Sequence, residues 1–195
     1  MLARRLISFT AAAWLLAAAP ATAQSPIATG ELNRPNVVVV LRHARAPGIG
    51  DPTPFQLNDC ATQRNLDAAG RAQAKKLGEQ WRASGFRPRQ IFSSAWCRCQ
   101  ETARLIDLGP VRVQPLLNSF VGADARARDA QVQQLSRFID QLDPHGGPYL
   151  LVTHQVVIAA LTGHGADSGG GVAIELAHAG QGRRVREIPA GGMVD

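Results

Sequence analysis

The sequence predicts an α/β protein: a three-layer α/β/α sandwich around a mostly parallel central sheet. Three observations carry this reading. Apolar, β-branched runs such as "NVVVVL" (36–41) and "PYLLVT" (148–153) lack polar alternation, the mark of strands buried on both faces. Segments with helical apolar spacing lie between them. Strand and helix patterns alternate along the chain, as in a sheet joined by crossover helices.

The first strand spans Asn36 to Leu41. Residues 44–63 follow with three prolines and two glycines and read as a long surface loop, a kind of segment that often carries function. A helix is expected from Asp67 to Ser84. Ala74, Leu77 and Trp81 form its stripe, Asp67 its N-cap, and Gly85 stands just past its end. "RQIFSS" reads as a second strand and "AWCRCQETARLI" as a second helix, with Ser94 as N-cap. "VRVQPLL" is a short third strand. Asp124 to Leu142 is a helix that turns Val132, Leu135, Phe138, Ile139 and Leu142 inward. "PYLLVTH" is the fourth strand, and "QVVIAALTG" a helix closed by Gly163. "GVAIELA" and "RRVREI" read as a final hairpin bridged by "HAGQG".

Ahead of the domain, residues 1–23 have the form of a cleaved export signal. Arg4 and Arg5 precede an Ala/Leu-rich apolar stretch from Leu6 to Ala19. Ala21-Thr22-Ala23 is the cleavage site, leaving Gln24 as the new N-terminus. The apolar stretch is short for a membrane span, which needs roughly 20 residues. The expectation is a periplasmic or secreted protein with no stable membrane anchor after cleavage. Residues 24–35 read as a polar lead-in and 36–195 as one domain.

The formal charge is +6, and removing Arg4 and Arg5 leaves a modest excess. The basic residues are arginines except Lys75 and Lys76. Arginine's planar fork suits phosphate or carboxylate. With no basic tract and only 5% aromatic residues, the composition does not point to nucleic acid. Export permits a disulfide among Cys60, Cys97 and Cys99, and Cys60 with either of the other two is the favoured pair. "CRC" lacks the C-x₂₋₄-C spacing of structural zinc sites, so neither a metal nor another cofactor is expected.

Chemistry collects where apolar strands end: "VVVVLRH" in His43 and "LLVTH" in His154. Ligand sites of open α/β sheets lie beyond the carboxyl ends of strands. If those two strands are neighbours, both histidines reach one rim, and the helix that begins "SSAWCR" brings Arg98 there in its first turn. Arg42, Arg98 and a helix N-terminus would then hold an anion, with a nucleophilic imidazole inside the cluster. A phosphoryl group matches this set. Neutral His43 would attack phosphorus, and Arg42, Arg98 and a protonated His154 would stabilise its oxygens.

These motifs resemble the histidine phosphatase superfamily, with its phosphoglycerate-mutase-like fold. "LRHAR" resembles the family's Arg-His-Gly triplet, with Ala44 in place of glycine. "IFSSAWCRCQETA" supplies the arginine after a Ser-Ser pair, and "LLVTHQVVI" the second histidine. "QRNLDAAGRAQAKKLG" resembles the start of the family's first helix. The resemblance implies His43 as the phosphorylated nucleophile, with Arg42, Arg98 and His154 binding phosphate and Arg45 and Asn65 as further substrate contacts. It also implies an exported subset in which the "CATQRNL" and "WCRC" cysteines pair at the rim of the site. The implied partner is a small phosphorylated substrate, an envelope sugar phosphate being one candidate.

Two departures stand out. Ala44 adds a methyl where glycine allows close backbone approach. The mutase-type general acid is missing, since Asn118 stands near the position of the expected Glu, and Gln155 replaces the phytase-type Asp. Asp124 is the candidate acid, with Asp51 and Asp59 in the long loop. The leading expectation is a phosphatase. A non-catalytic phosphate-binding module and, more remotely, a phosphomutase are the alternatives. His145, His164 and His178 read as surface residues, Arg126, Arg128 and Arg137 as a solvated helix face, and Arg183, Arg184 and Arg186 as edge-strand charges.

Overall fold

A computed structural model describes residues 27–176 and 182–191. The export signal, Gln24, His178 and most of the expected "HAGQG" bridge lie outside the described residues.

The chain folds into a six-stranded sheet flanked by four helices. The strands are β1 (Val37–Arg42), β2 (Gln90–Ser93), β3 (Val111–Val113), β4 (Tyr149–Thr153), β5 (Gly171–Glu175) and β6 (Arg184–Ile188). Their order is β3-β2-β4-β1-β5-β6. The pairs from β3 to β1 are parallel, and β5 and β6 add an antiparallel edge. The helices are α1 (Ala68–Ala83), α2 (Cys97–Ile106), α3 (Ala125–Asp140) and α4 (Gln155–Thr162). The expected three-layer architecture is present. Along β1, Val37, Val39 and Leu41 join one core with Ala74, Trp81 and Ala103, while Val38 and Val40 join a second with Leu135, Ile139 and Val157. Continuous valines are therefore needed, because successive side chains enter opposite layers.

Asp67 caps α1 by accepting the Gly70 N–H at 2.7 Å, and Asp124 caps α3 by accepting the Ala127 N–H at 2.8 Å. Gly70 has a second role. A Cβ there would meet the Arg45 carbonyl oxygen at 1.9 Å, so only glycine lets α1 pack on the chain just beyond His43.

Three local expectations are corrected. Ser94 is not the N-cap of α2: the helix starts at Cys97 with Trp96 in the cap position. The Ser94 hydroxyl is instead committed to the site described below. From Ile27 onward the lead-in packs as part of the domain. Ile27 and Leu32 are fully buried in the α1–α2 core, and Glu31 holds Arg186 at 2.7 Å. Arg186 is thus more than an edge charge, since it also meets Glu175 at 2.9 Å. Among the described residues no helix is long and apolar enough to cross a membrane.

Candidate active site

Sheet order places the site. β1 and β4 are parallel neighbours with Arg42 opposite Thr153, so His43 and His154, the next residue on each strand, emerge together. The His43 N–H bonds the Thr153 carbonyl at 3.0 Å, and the two imidazole centroids are 5.5 Å apart. β2 runs beside β4, so the turn after it starts α2 at the same rim. Arg98, in the first turn of α2, reaches His154, its Nη2 lying 3.4 Å from Nδ1. Arg42, His43, Arg98 and His154 all line one cavity of about 360 Å³.

Both histidines have defined tautomers. His43 Nδ1 donates to the Ala44 carbonyl at 2.7 Å, which leaves Nε2 as the lone-pair nitrogen. Burial pushes the His43 imidazole down to about 3; the bond to Ala44 opposes this, and Arg98, Arg42 and Arg64 reinforce it. At His154, Nδ1 faces an Arg98 donor, so Nε2 carries the proton and donates to Ser94 Oγ at 2.9 Å. Ser94 in turn donates to Asn118 Oδ1 at 3.2 Å. Burial, followed by Arg98, His43, Arg64 and Arg42, holds His154 well below the ordinary 6.5. In the free site, burial and the neighbouring arginines favour the neutral form of both imidazoles, whereas the protonated His154 expected from sequence belongs to the phosphate-bound state. Cys99 packs against the same ring with Sγ 3.4 Å from Nε2, and burial pushes its thiol up to about 12.

The structure adds two residues to the cluster. Arg64 lines the cavity, donates through Nε to the Gly50 carbonyl at 2.8 Å and also bonds the Ala46 carbonyl. The sequence motif points instead to its neighbour Asn65. Adjacent residues of a non-helical stretch face opposite sides, and Asn65 points outward, donating to the carbonyls of Cys60 and Gln63 at 2.6 and 3.0 Å. A signal for Arg64 exists, because the capped start of α1 places "QRNL" beside the rim and only one of two adjacent polar residues can face inward. The second addition is Asp51, named in the sequence only as a loop acid. It bridges Arg98 at 2.7 Å, accepts Trp96 Nε1–H at 3.0 Å and accepts the Arg64 backbone N–H at 3.1 Å. Burial opposes its ionisation, but the bonds from Arg98, Trp96 and Arg64 outweigh that and hold the carboxyl below its usual range.

Two other candidates are not brought to the cavity. Arg45 is exposed and pairs with Asp67 at 3.3 Å. Asp124 caps α3 and is absent from the cavity's lining. The Ala44 methyl is buried in the α1–α2 core and does not enter the cavity, while the Ala44 N–H bonds Thr102 Oγ1 at 3.0 Å. The disulfide is Cys60–Cys97, one of the two pairings left open by the sequence. It ties the long loop to the first residue of α2, where Gln63 Oε1 also accepts the Cys97 N–H at 3.0 Å.

A neutral imidazole with a free Nε2, set among three arginines at the carboxyl edge of an α/β sheet, is an arrangement chemically able to hold an anion against a nucleophilic nitrogen. The family profile described as histidine phosphatase superfamily (branch 1) matches residues 38–120, which include Arg42, His43, Arg64 and Arg98. Solved structures share the fold. An Escherichia coli K-12 protein proposed to be an α-ribazole-5′-P phosphatase aligns with TM-score 0.60 and 21% identity, covering 82% of this chain and 98% of that one. The protein histidine phosphatase SixA, complexed with tungstate, aligns with TM-score 0.57 and 16% identity, covering 79% and 97%. A mycobacterial glucosyl-3-phosphoglycerate phosphatase with inorganic phosphate aligns with TM-score 0.54 and 18% identity, covering 81% and 98%. Comparison with curated proteins finds no match. Residues 38–120 are thus similar to the histidine phosphatase superfamily, and the solved structures extend the likeness of fold over about four-fifths of the chain.

Proposed function

We propose that the protein is a phosphatase that hydrolyses a phosphomonoester through a phosphohistidine at His43. The observation that carries this reading is the state of His43. Its Nδ1 is bound to the Ala44 carbonyl at 2.7 Å, and its ring is held neutral, so Nε2 keeps its lone pair at neutral pH.

In the first step that lone pair attacks phosphorus. The P–N bond forms, the P–O bond to the leaving group breaks, and its electron pair departs on the leaving oxygen, which takes a proton from water. Arg42, Arg64 and Arg98 offset the charge on the other three phosphoryl oxygens. In the second step water attacks phosphorus, the P–N bond breaks and its pair returns to Nε2. The proton from water passes to solvent as phosphate leaves. A bound dianion adds negative charge beside His154 and raises its proton affinity, opposing the arginines that hold it neutral in the free site. Asp51 is the carboxylate in the cavity, and its pairing with Arg98 keeps it ionised and unable to donate a proton. This favours leaving groups stable as anions, such as phenolates.

Export rests on residues 1–23, and the Cys60–Cys97 disulfide suits an oxidising compartment. The test is rapid acid-free quenching with radiolabelled phenyl phosphate, followed by mapping of the label. The expected result is acid-labile label on His43, and no hydrolysis by His43→Ala. An active His43→Ala protein would overturn the reading.

A further inference from the structure

The arginine cluster accounts for one end of the cavity. Its mouth is chemically different. Among the described residues five large hydrophobic side chains are exposed, and three of them, Ile49, Phe55 and Val121, line this same cavity. Scattered exposed apolar residues need no explanation, but a cluster around a ligand pocket does. The backbone is shaped to make it. Gly48 and Gly50 take φ of 90° and 70°, a left-handed conformation that glycine adopts freely, so the chain turns on both sides of Ile49 and presents it at the rim. Phe55 stands against Trp96, ring centroids 5.8 Å apart, which puts an aromatic wall beside Arg98.

The apolar surface continues beyond the mouth. Val121 and Val156 also belong to an open groove of about 780 Å³ between α3 and α4. Val132 and Ala160 extend its apolar lining. The charged residues in it, Arg128 and Asp129, pair with each other at 3.0 Å. The groove therefore offers little net charge to a ligand. The arginines fix one end of any occupant as an anion, and the apolar path fixes the character of the remainder.

Resting on the phosphatase reading, we propose that the substrate is an amphiphilic phosphomonoester. Its phosphate sits among Arg42, Arg64 and Arg98, and its apolar body passes Phe55 and Val121 into the α3–α4 groove. A sugar phosphate would leave this apolar path uncovered, since Thr53, Ser119, Gln133 and Gln155 are the few neutral polar residues along it.

The test is kcat/KM for phenyl, 4-methylphenyl, 4-propylphenyl and 4-hexylphenyl phosphate, kept below their aggregation concentrations. Leaving-group acidity is nearly constant along this series, so a gradient reports apolar contact alone. Each methylene is expected to raise kcat/KM about twofold to fourfold until the groove is filled. Ala160→Asp, at an exposed position of α4, should flatten the gradient between the phenyl and hexylphenyl members. A flat series with phenyl phosphate still turned over overturns the proposal and leaves the phosphatase reading standing. So does a gradient that persists unchanged in both Ala160→Asp and Val132→Ser, or a hexose phosphate turned over faster than the hexylphenyl ester. Hydrolysis of none of the compounds removes the phosphatase reading, and the proposal with it.

Discussion

Asp51 and Arg98, 47 residues apart, meet as a buried two-point pair, with Oδ1 2.7 Å from Nη1 and Oδ2 3.3 Å from Nη2. The guanidinium assigned to phosphate is thus already held by a carboxylate from the long loop. That carboxylate accepts two further bonds, from Trp96 and from the Arg64 backbone. A buried pair left half-made costs far more than an exposed one, so Arg98 depends on Asp51 for its orientation.

Asp51→Asn separates two effects. It removes a negative charge from the cavity, which favours the dianion, and it loosens the Arg98 fork, which disfavours in-line geometry. The expected outcome is a kcat lower by about tenfold to a hundredfold, with KM and the inhibition constant of inorganic phosphate unchanged or lower. Steady-state kinetics with phosphate inhibition make the measurement. An unaltered kcat would show that Arg98 holds its position without Asp51.

The two site histidines make stability depend on pH. An unfolded imidazole gains its proton near 6.5, whereas folded His43 gains it only near 3. Between those values the unfolded state binds more protons, so this contribution is present above pH 6.5 and is lost as pH falls towards 3. His154 acts in the same direction. Each histidine contributes a slope of about 1.4 kcal/mol per pH unit within its window. Chemical denaturation at pH 7.5, 6.0 and 5.0 should show stability falling on acidification, with a shallower fall in His43→Asn. NMR titration should find His43 still neutral at pH 5 and His154 titrating below the ordinary 6.5. A site imidazole with a midpoint near 6.5 would contradict the burial argument.

The Cys60–Cys97 disulfide closes a loop across 37 residues of sequence and anchors the segment that carries Arg64 to the helix that carries Arg98. Cys60→Ser with Cys97→Ser should lower stability by about 2–4 kcal/mol. It should also raise KM, because two of the three arginines lose their shared tether. Denaturant melts and kinetics on the double variant test both effects. Reduced stability with an unchanged KM would mean that Gln63 and Asp51 suffice to hold the arginines.

Much of this architecture could be read from the chain, because burial on both faces writes itself as continuous valines and strand ends can be located by where they stop. That is why Arg42, His43, Arg98 and His154 were legible. The residues missed or misplaced belong to the long loop and to short-range geometry. Arg64 and Asn65 are adjacent, and only the path of the loop decides which faces inward. Asp51 has no periodic signature, and its role appears once the loop folds back on α2. Ser94 looked like a cap because it precedes a helix, but a hydroxyl beside His154 finds a stronger use there. The apolar rim was invisible because Ile49, Phe55 and Val121 come from separate segments.

Ala44 is the residue at which the motif departs from the family glycine, and its surroundings explain why the change is accepted. It does not have the positive φ that would demand glycine; among the described non-glycine residues Asp107 alone has one. Its methyl lies in the α1–α2 core, and its two backbone groups hold Thr102 and His43. Ala44→Gly retains both hydrogen bonds but loses a buried methyl and gains chain entropy in the unfolded state. Together these should cost about 1–2 kcal/mol of stability, with kcat/KM within about twofold of the parent, since ΔΔG values near zero at the cavity change rates little. Paired denaturant melts and phenyl phosphate kinetics provide the measurement. An Ala44→Gly variant that is as stable as the parent but several-fold faster would mean that the methyl constrains the site after all.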